Sequence, residues 1–285
     1  MSTWDSRDRM AVALGAIVVG ALAGCTFSPR AAERDASTGD PDRDAAADSA
    51  DVDAIASVPC GAPDPGGLLL CLELDDGVDD GLLVDSAPGH HHALTSGLSP
   101  MTRTVPWSSA AARVGATSET RVAEDPILDR DAGYSYGMWV SPTTVPAPGA
   151  AVGVIDHELQ YALVVGSSAV DGSIQNRCVH TGVAQVVATR GLAVATWSFL
   201  ACTWDGTTLC AIRWTSASDH ERTCEVASLP PSTTGAQGLA IGHLSEAGVA
   251  HSRFDGAIDS VQLYRAALTA DQICTWIGQP AGCLL

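Results

Sequence analysis

The chain contains no lysine. All fifteen basic residues are arginine, set against 33 Asp and Glu, for a net charge of −18. So acidic a surface repels phosphates and argues against a nucleic-acid partner. Aromatic residues make up only 5% of the chain, and Trp, with seven, outnumbers either Tyr or Phe. No two cysteines have C-x-x-C spacing, which weighs against zinc. No G-x-S-x-G elbow and no papain-like cysteine signature is present, so the common nucleophilic hydrolases find no support. Long amphipathic helical patterns are missing too. What is there instead is a series of short extended runs separated by Gly and Pro turns, the pattern of an all-β sandwich and not of an α/β fold. With 46% of 285 residues hydrophobic, the chain can bury a full core.

The N-terminus reads as an address. Arg7 and Arg9 precede an apolar stretch, Met10 to Ala23, of signal length and too short to span a bilayer comfortably. It ends in Leu22-Ala23-Gly24-Cys25, which resembles the lipobox of bacterial lipoproteins. That resemblance implies a signal peptide over residues 1–24 and lipidation at Cys25. With Thr and not Asp at position 26, it also implies the outer membrane. An ordinary signal peptide or an uncleaved anchor is the alternative. Two or three acyl chains on one cysteine hold a membrane more firmly than the single chain that binds reversibly. Residues 25–58 read as an acidic linker, with hardly a large apolar residue before Ile55. Such a segment cannot bury enough surface to offset its ordering entropy, so a disordered tether is expected, reaching roughly 30 Å. An interaction tail is the alternative. The folded domain is assigned to residues 59–285.

Setting Cys25 aside leaves Cys60, Cys71, Cys178, Cys202, Cys210, Cys224, Cys274 and Cys283. An even set in an exported chain reads as disulfides, although eight cysteines allow about 105 connectivities. Nearest-neighbour pairing is expected: Cys60–Cys71, Cys178–Cys202, Cys210–Cys224 and Cys274–Cys283. Cys210 and Cys224 flank a polar connection and can face each other across a hairpin.

Several runs read as strands. Leu68 to Leu74 is a short apolar one. Tyr134, Tyr136, Met138 and Val140 alternate with smaller residues until Pro142. Leu159, Tyr161, Leu163 and Val165 alternate likewise. Trp197 to Trp204 and Leu209 to Trp214 flank the turn Asp205-Gly206-Thr207-Thr208, and Leu239 to Gly242 adds a shorter run. Near the C-terminus, Phe254-Asp255-Gly256 is a turn and Ile258 to Tyr264 a strand. Ile258 and Val261 have opposite parity, so that strand is expected to carry a bulge or to be buried on both faces. Thr269-Ala270-Asp271-Gln272 reads as a capping box opening a short helix.

The run from Phe254 to Thr269 resembles the closing strand of the laminin G-like domains of the concanavalin A-like lectin/glucanase type. Phe254, Gly256, Ile258, Asp259, Val261, Tyr264, Arg265, Ala267 and Leu268 match its pattern. The opening resembles the same domains at Asp75, Asp85, Ser86, Gly89, His92 and Ala93, as does the Trp197–Trp214 hairpin. The resemblance implies one two-sheet antiparallel jelly roll over about residues 68–276, its first and last strands side by side. It also implies a structural Ca²⁺ near those termini, held by Asp75 and Asp259 with help from Asp255 or Asp85. Asp at a turn or strand end is otherwise only a backbone cap.

For chemistry, Glu73-Leu74-Asp75 begins like a glycosidase carboxylate strand but has no second Glu. Asp156-His157-Glu158 could support acid–base work, yet sits beside a turn. His90-His91-His92 suggests a transition metal on composition, but it lies in the opening loop and reads as a surface loop. A sugar platform needs an exposed aromatic, and Trp107, Trp204, Trp214 and Trp276 are the candidates. Trp139 and Trp197 match buried family positions. The function so implied is an envelope lipoprotein displaying a non-catalytic binding or adhesion module for a glycan or a surface protein. A structural envelope role and a divergent glycoside hydrolase are the alternatives.

Overall fold

A computed structural model describes residues 67–75, 78, 80–105, 108–231, 237–278, 283 and 285. The expected signal peptide and tether, and with them Cys25, Cys60 and Trp107, lie outside the described residues. In chain order the strands are β1 (Leu68–Leu72), β2 (Leu82–Leu83), β3 (Ala93–Ser96), β4 (Ser99–Val105), β5 (Ser108–Val114), β6 (Glu119–Val122), β7 (Tyr134–Pro142), β8 (Ala151–His157) and β9 (Tyr161–Ser167). They continue with β10 (Ile174–His180), β11 (Ala184–Leu192), β12 (Ser198–Trp204), β13 (Thr208–Ser216), β14 (Asp219–Val226), β15 (Leu239–Ile241), β16 (Leu244–Glu246), β17 (Val249–His251) and β18 (Gly256–Tyr264). One helix, α1 (Ala270–Trp276), follows.

Two antiparallel sheets make a sandwich. The front sheet runs β14-β13-β12-β7-β18-β5-β4, with β1 also on β18; the back sheet runs β11-β10-β9-β8-β15-β6-β3-β2. The first and last long strands are neighbours, as the resemblance implied, and Leu72 lies opposite Val261. Along one edge β18 pairs with β7. On its other edge it holds β5 through Gly256–Ile258 and then β1 through Val261–Tyr264. The change of partner falls at the bulge that the parity of Ile258 and Val261 anticipates. The register with β7 shifts between Asp259 and Gln262, and Ser260 sits at φ 53°.

The local signals act as chemistry predicts. Asp205 Oδ1 accepts the N–H groups of Thr207 and Thr208, closing the β12–β13 turn over Gly206. Thr269 Oγ1 accepts from Gln272 N while Gln272 Oε1 accepts from Thr269 N, so α1 carries a complete capping box. One boundary differs from expectation. Leu159 belongs to the β8–β9 turn, at φ 67°, and not to the strand that begins at Tyr161.

The main core fills the space between the sheets and includes Leu70, Leu72, Tyr134, Tyr136, Leu163, Trp204 and Ile258. A second apolar cluster covers the outer face of the front sheet. There Trp139, Phe199, Ile212, Trp214 and Tyr264 pack beneath Ile273, Trp276 and Ile277 of α1 and its end. Each such side chain, fully buried, contributes about 1.5–3 kcal/mol. Double-sided burial explains why every residue of β7 and of β12 is buried.

Three disulfides join the pairs expected. Cys210–Cys224 crosses the β13–β14 hairpin between register partners, and Cys274–Cys283 ties the end of α1. Cys178–Cys202 links β10 of the back sheet to β12 of the front sheet. Cys71 is also disulfide-bonded. Because Cys178–Cys202 closes the longer loop, with a sequence separation of 24 against 9 for Cys274–Cys283, it restricts the unfolded chain more. Removing it as Cys178→Ala/Cys202→Ala is expected to cost roughly 3 kcal/mol in guanidinium unfolding, and removing Cys274–Cys283 distinctly less.

Candidate functional site

Three of the four candidate platform aromatics, Trp204, Trp214 and Trp276, are inside the protein. Trp204 is 1% exposed in the main core and donates Nε1–H to Ala227 O at 2.7 Å. Trp214 is 7% exposed, edge-on to Trp139 at 5.9 Å. Trp276 packs edge-on against Phe199 and Tyr264. The expectation of a stacking surface at Trp204, Trp214 or Trp276 is therefore corrected: Trp204 points into the space between the sheets, and α1 with its cluster covers the outer face where Trp214 and Trp276 lie. Among the described residues every Trp, Tyr and Phe is buried except Trp197, which is half-buried.

The four acids proposed for calcium are already engaged. Asp85, fully buried, accepts from the N–H groups of Cys71 at 2.7 Å, Ala87 at 2.9 Å and His91 at 2.6 Å. This is the backbone-cap alternative, and it pins the opening strand to the loop after it. Asp255 pairs with Arg113 at 2.7 Å. Asp259 is buried against the guanidinium of Arg103, whose side chain is also fully buried. Arg103 lies between the rings of Trp139, at 4.7 Å, and Trp197, at 4.3 Å. Burial draws its pKa down, while Asp259 and then Asp75 hold it up. The opening-strand and closing-strand acids thus do act on one cation, but it is an arginine. At Asp259 the place of a cation is taken by the Arg103 guanidinium, at Asp255 by Arg113, and Asp85 is turned to three backbone N–H groups. Arg103→Met removes the counter-charge of a buried carboxylate and is expected to cost about 3–5 kcal/mol in chemical denaturation. Added Ca²⁺ is expected not to restore the loss.

Asp156 and Glu158 are 8% exposed each and serve the β16–β17 turn. Asp156 accepts from Ser245 N at 2.7 Å, and Glu158 from Ala247 N at 2.6 Å and Gly248 N at 3.3 Å. Burial, opposed by the Ser245 N–H and reinforced by the charge of Glu158, pushes Asp156 up to about 6. Both carboxylates are held as clamps on that turn.

His157 takes the other face of β8, stacked on Tyr161 with ring centroids 5.1 Å apart. It looks toward the connection between β6 and β7, residues 123–133. Its Nε2 lies 3.8 Å from Glu124 Oε2 and 3.9 Å from Asp129 Oδ1. The turn that ends β8 also positions the loop: Gln160 donates to Asp129 Oδ1 and accepts from Arg130 N. Tyr161 OH donates to Leu128 O at 3.1 Å. Glu124 is fixed from the next strand by Gly238 N–H at 2.6 Å. Gly238 has φ 81°, and a Cβ there would stand 2.3 Å from Val122 O, so only glycine presents that N–H. Burial, opposed by Gly238 N–H and reinforced by Asp129 and Asp125, raises Glu124; burial lowers His157 to about 4. Beside this group, His90, His91, His92, Glu124 and Asp125 line a recess of about 250 Å³, with His91 Nδ1 3.7 Å from Asp125. His90–His92 were read as a surface loop; that they share a recess with Glu124 and Asp125 was not legible, because β3 and β6 bring them together.

A two-sheet sandwich of this topology, with adjacent first and last strands, is a lectin-like fold. The profile of the Laminin_G_3 family, of the concanavalin A-like lectin/glucanases superfamily, matches residues 114–274, and the chain belongs to that family. Among solved structures it is similar to domain 4 of AbnA, a GH43 extracellular arabinanase from Geobacillus stearothermophilus, in complex with arabinotriose. The identity is 16% and the TM-score 0.54, over 73% of this chain and 97% of that one. It is also similar to the botulinum neurotoxin serotype C1 binding domain, at 9% identity and TM-score 0.51, over 75% of this chain and 52% of that one. A third is the binding domain of botulinum neurotoxin DC in complex with rat synaptotagmin II, at 8% identity and TM-score 0.51, over 75% and 52%. The chain thus spans about half the length of the toxin domains, and these likenesses show the fold. A comparison with curated proteins finds no match.

Proposed function

We propose that the chain is a non-catalytic binding module, lipid-anchored at Cys25 to the outer membrane and carried on the acidic tether, for glycans first and surface proteins second. The observation that carries the reading is the fate of Asp156 and Glu158, a closely spaced carboxylate pair at the end of β8. Asp156 Oδ2 and both Glu158 oxygens accept backbone N–H groups of the β16–β17 hairpin, a structural use that supports a non-catalytic reading of the pair. The similarity to an arabinanase domain bound to arabinotriose supports a sugar ligand, and that to a toxin domain bound to synaptotagmin II supports a protein one. The recess lined by His90–His92, Glu124 and Asp125 offers polar groups suited to hydroxyl-rich ligands.

Glycan-array screening of the full chain is expected to return a defined set of oligosaccharides, with no new reducing ends from any of them. Release of reducing sugar that is lost in Glu158→Gln would install the hydrolase instead. Absence of both glycan and protein capture would leave the passive envelope role. Palmitate labelling in the producing cell is expected to vanish in Cys25→Ala, with the protein moving from the outer-membrane to the soluble fraction.

A further inference from the structure

We propose that Glu124, Asp129 and His157 form a binding site for a divalent transition-metal ion, Zn²⁺ foremost, at the end of the sandwich closed by residues 123–133. The inference stands apart from the glycan reading and from the calcium expectation at Asp75 and Asp259.

One ligand atom from each residue lies within 4.8 Å of the other two. Acidic clusters are common without ions, and the imidazole is what singles this one out. The His157 side chain has no solvent exposure, and neither ring nitrogen has a hydrogen-bond partner. Its Nε2 faces two carboxylate oxygens at 3.8 and 3.9 Å, too far for a hydrogen bond. Burying both imidazole nitrogens unpartnered is costly, and holding two carboxylates side by side adds repulsion. A cation among the three atoms resolves both. Zinc binds nitrogen and carboxylate oxygen at about 2.0–2.2 Å, so atoms sharing one ion stand about 3–3.6 Å apart. A closing movement of a few tenths of an ångström brings His157 Nε2 to that spacing from each carboxylate oxygen, and the two oxygens, within 4.8 Å of each other, close around the ion.

The surroundings are those of a built site. Asp129 is oriented by the Gln160 amide, Glu124 by Gly238 N–H, and the imidazole plane by its stack on Tyr161. An imidazole ligand selects a transition ion over Ca²⁺ or Mg²⁺, which take oxygen. Three protein ligands leave a fourth position for water or an external oxygen ligand. The Glu124 side chain is 38% exposed, so that position has access from solvent.

The test is a titration of ZnCl₂ into chelator-stripped full chain by calorimetry, alongside Co²⁺ absorption spectra. One ion per chain is expected, with a Co²⁺ visible band of nitrogen–oxygen coordination. Glu124→Gln and Asp129→Asn, both partly exposed at the surface, are expected to weaken binding about 100-fold or more and to abolish the band, with the circular dichroism spectrum unchanged. His91→Ala, in the adjoining recess, is expected to retain both. Unchanged affinity in Glu124→Gln and Asp129→Asn, loss of the ion in His91→Ala alone, or no binding by the wild-type chain would overturn the proposal.

Discussion

Hydrogen bonding along β18 is the constraint on which the front sheet depends. This strand serves β7 on one edge and divides the other between β5 and β1. A regular strand could not change partner so abruptly, since a one-residue slip turns every side chain to the other face. The bulge at Ser260 absorbs that slip. It also brings Asp259 to the point where Arg103 arrives from β4, so an irregularity of backbone and a buried ion pair occupy the same place. The N-terminal strand is thereby locked to the C-terminal one, and the sandwich is closed by chain ends far apart in sequence.

The second constraint is that the front sheet is wrapped on both sides. Helix α1 is short, and its value lies in Ile273 and Trp276, which seal Trp139, Phe199 and Trp214 from water. The part of that face beneath α1 is consequently closed to a ligand. Over the back sheet, Asp156 and Glu158 hold the β16–β17 turn down by accepting its N–H groups. What stays chemically open is the end of the sandwich, where loops from β3, β6 and β8 bring histidine and carboxylate side chains together.

Much of the fold was legible because its signals are local. The capping box at Thr269 and Gln272, the Asp205 turn, the opposite parity of Ile258 and Val261, and the hairpin setting of Cys210 and Cys224 each depend on neighbours within a few residues. The misreadings involve distance. Trp204 and Trp214 look like free aromatics in sequence, since nothing near them announces that the back sheet closes over the one and α1 over the other. Asp259 looks like a calcium ligand until Arg103, 156 residues earlier, is placed beside it. The same holds for Glu124 and Asp129, in the β6–β7 connection, and His157, at the end of β8, which become neighbours only once β6, β7 and β8 are assembled. Asp156-His157-Glu158, read as one cluster, in fact divides between the two faces of β8.

The bridge from Cys178 to Cys202 carries a consequence for maturation. Its sulfurs meet only after strands of both sheets are stacked, whereas Cys210 and Cys224 face each other as register partners of one hairpin. Cys202 and Cys210 take opposite faces of the β12–β13 hairpin, because Cys202 lies opposite Ala211 and Cys210 opposite Thr203, so strand pairing itself keeps those two thiols apart. Oxidation is thereby ordered by the fold: the hairpin bond can close ahead of stacking, and the inter-sheet bond only after it.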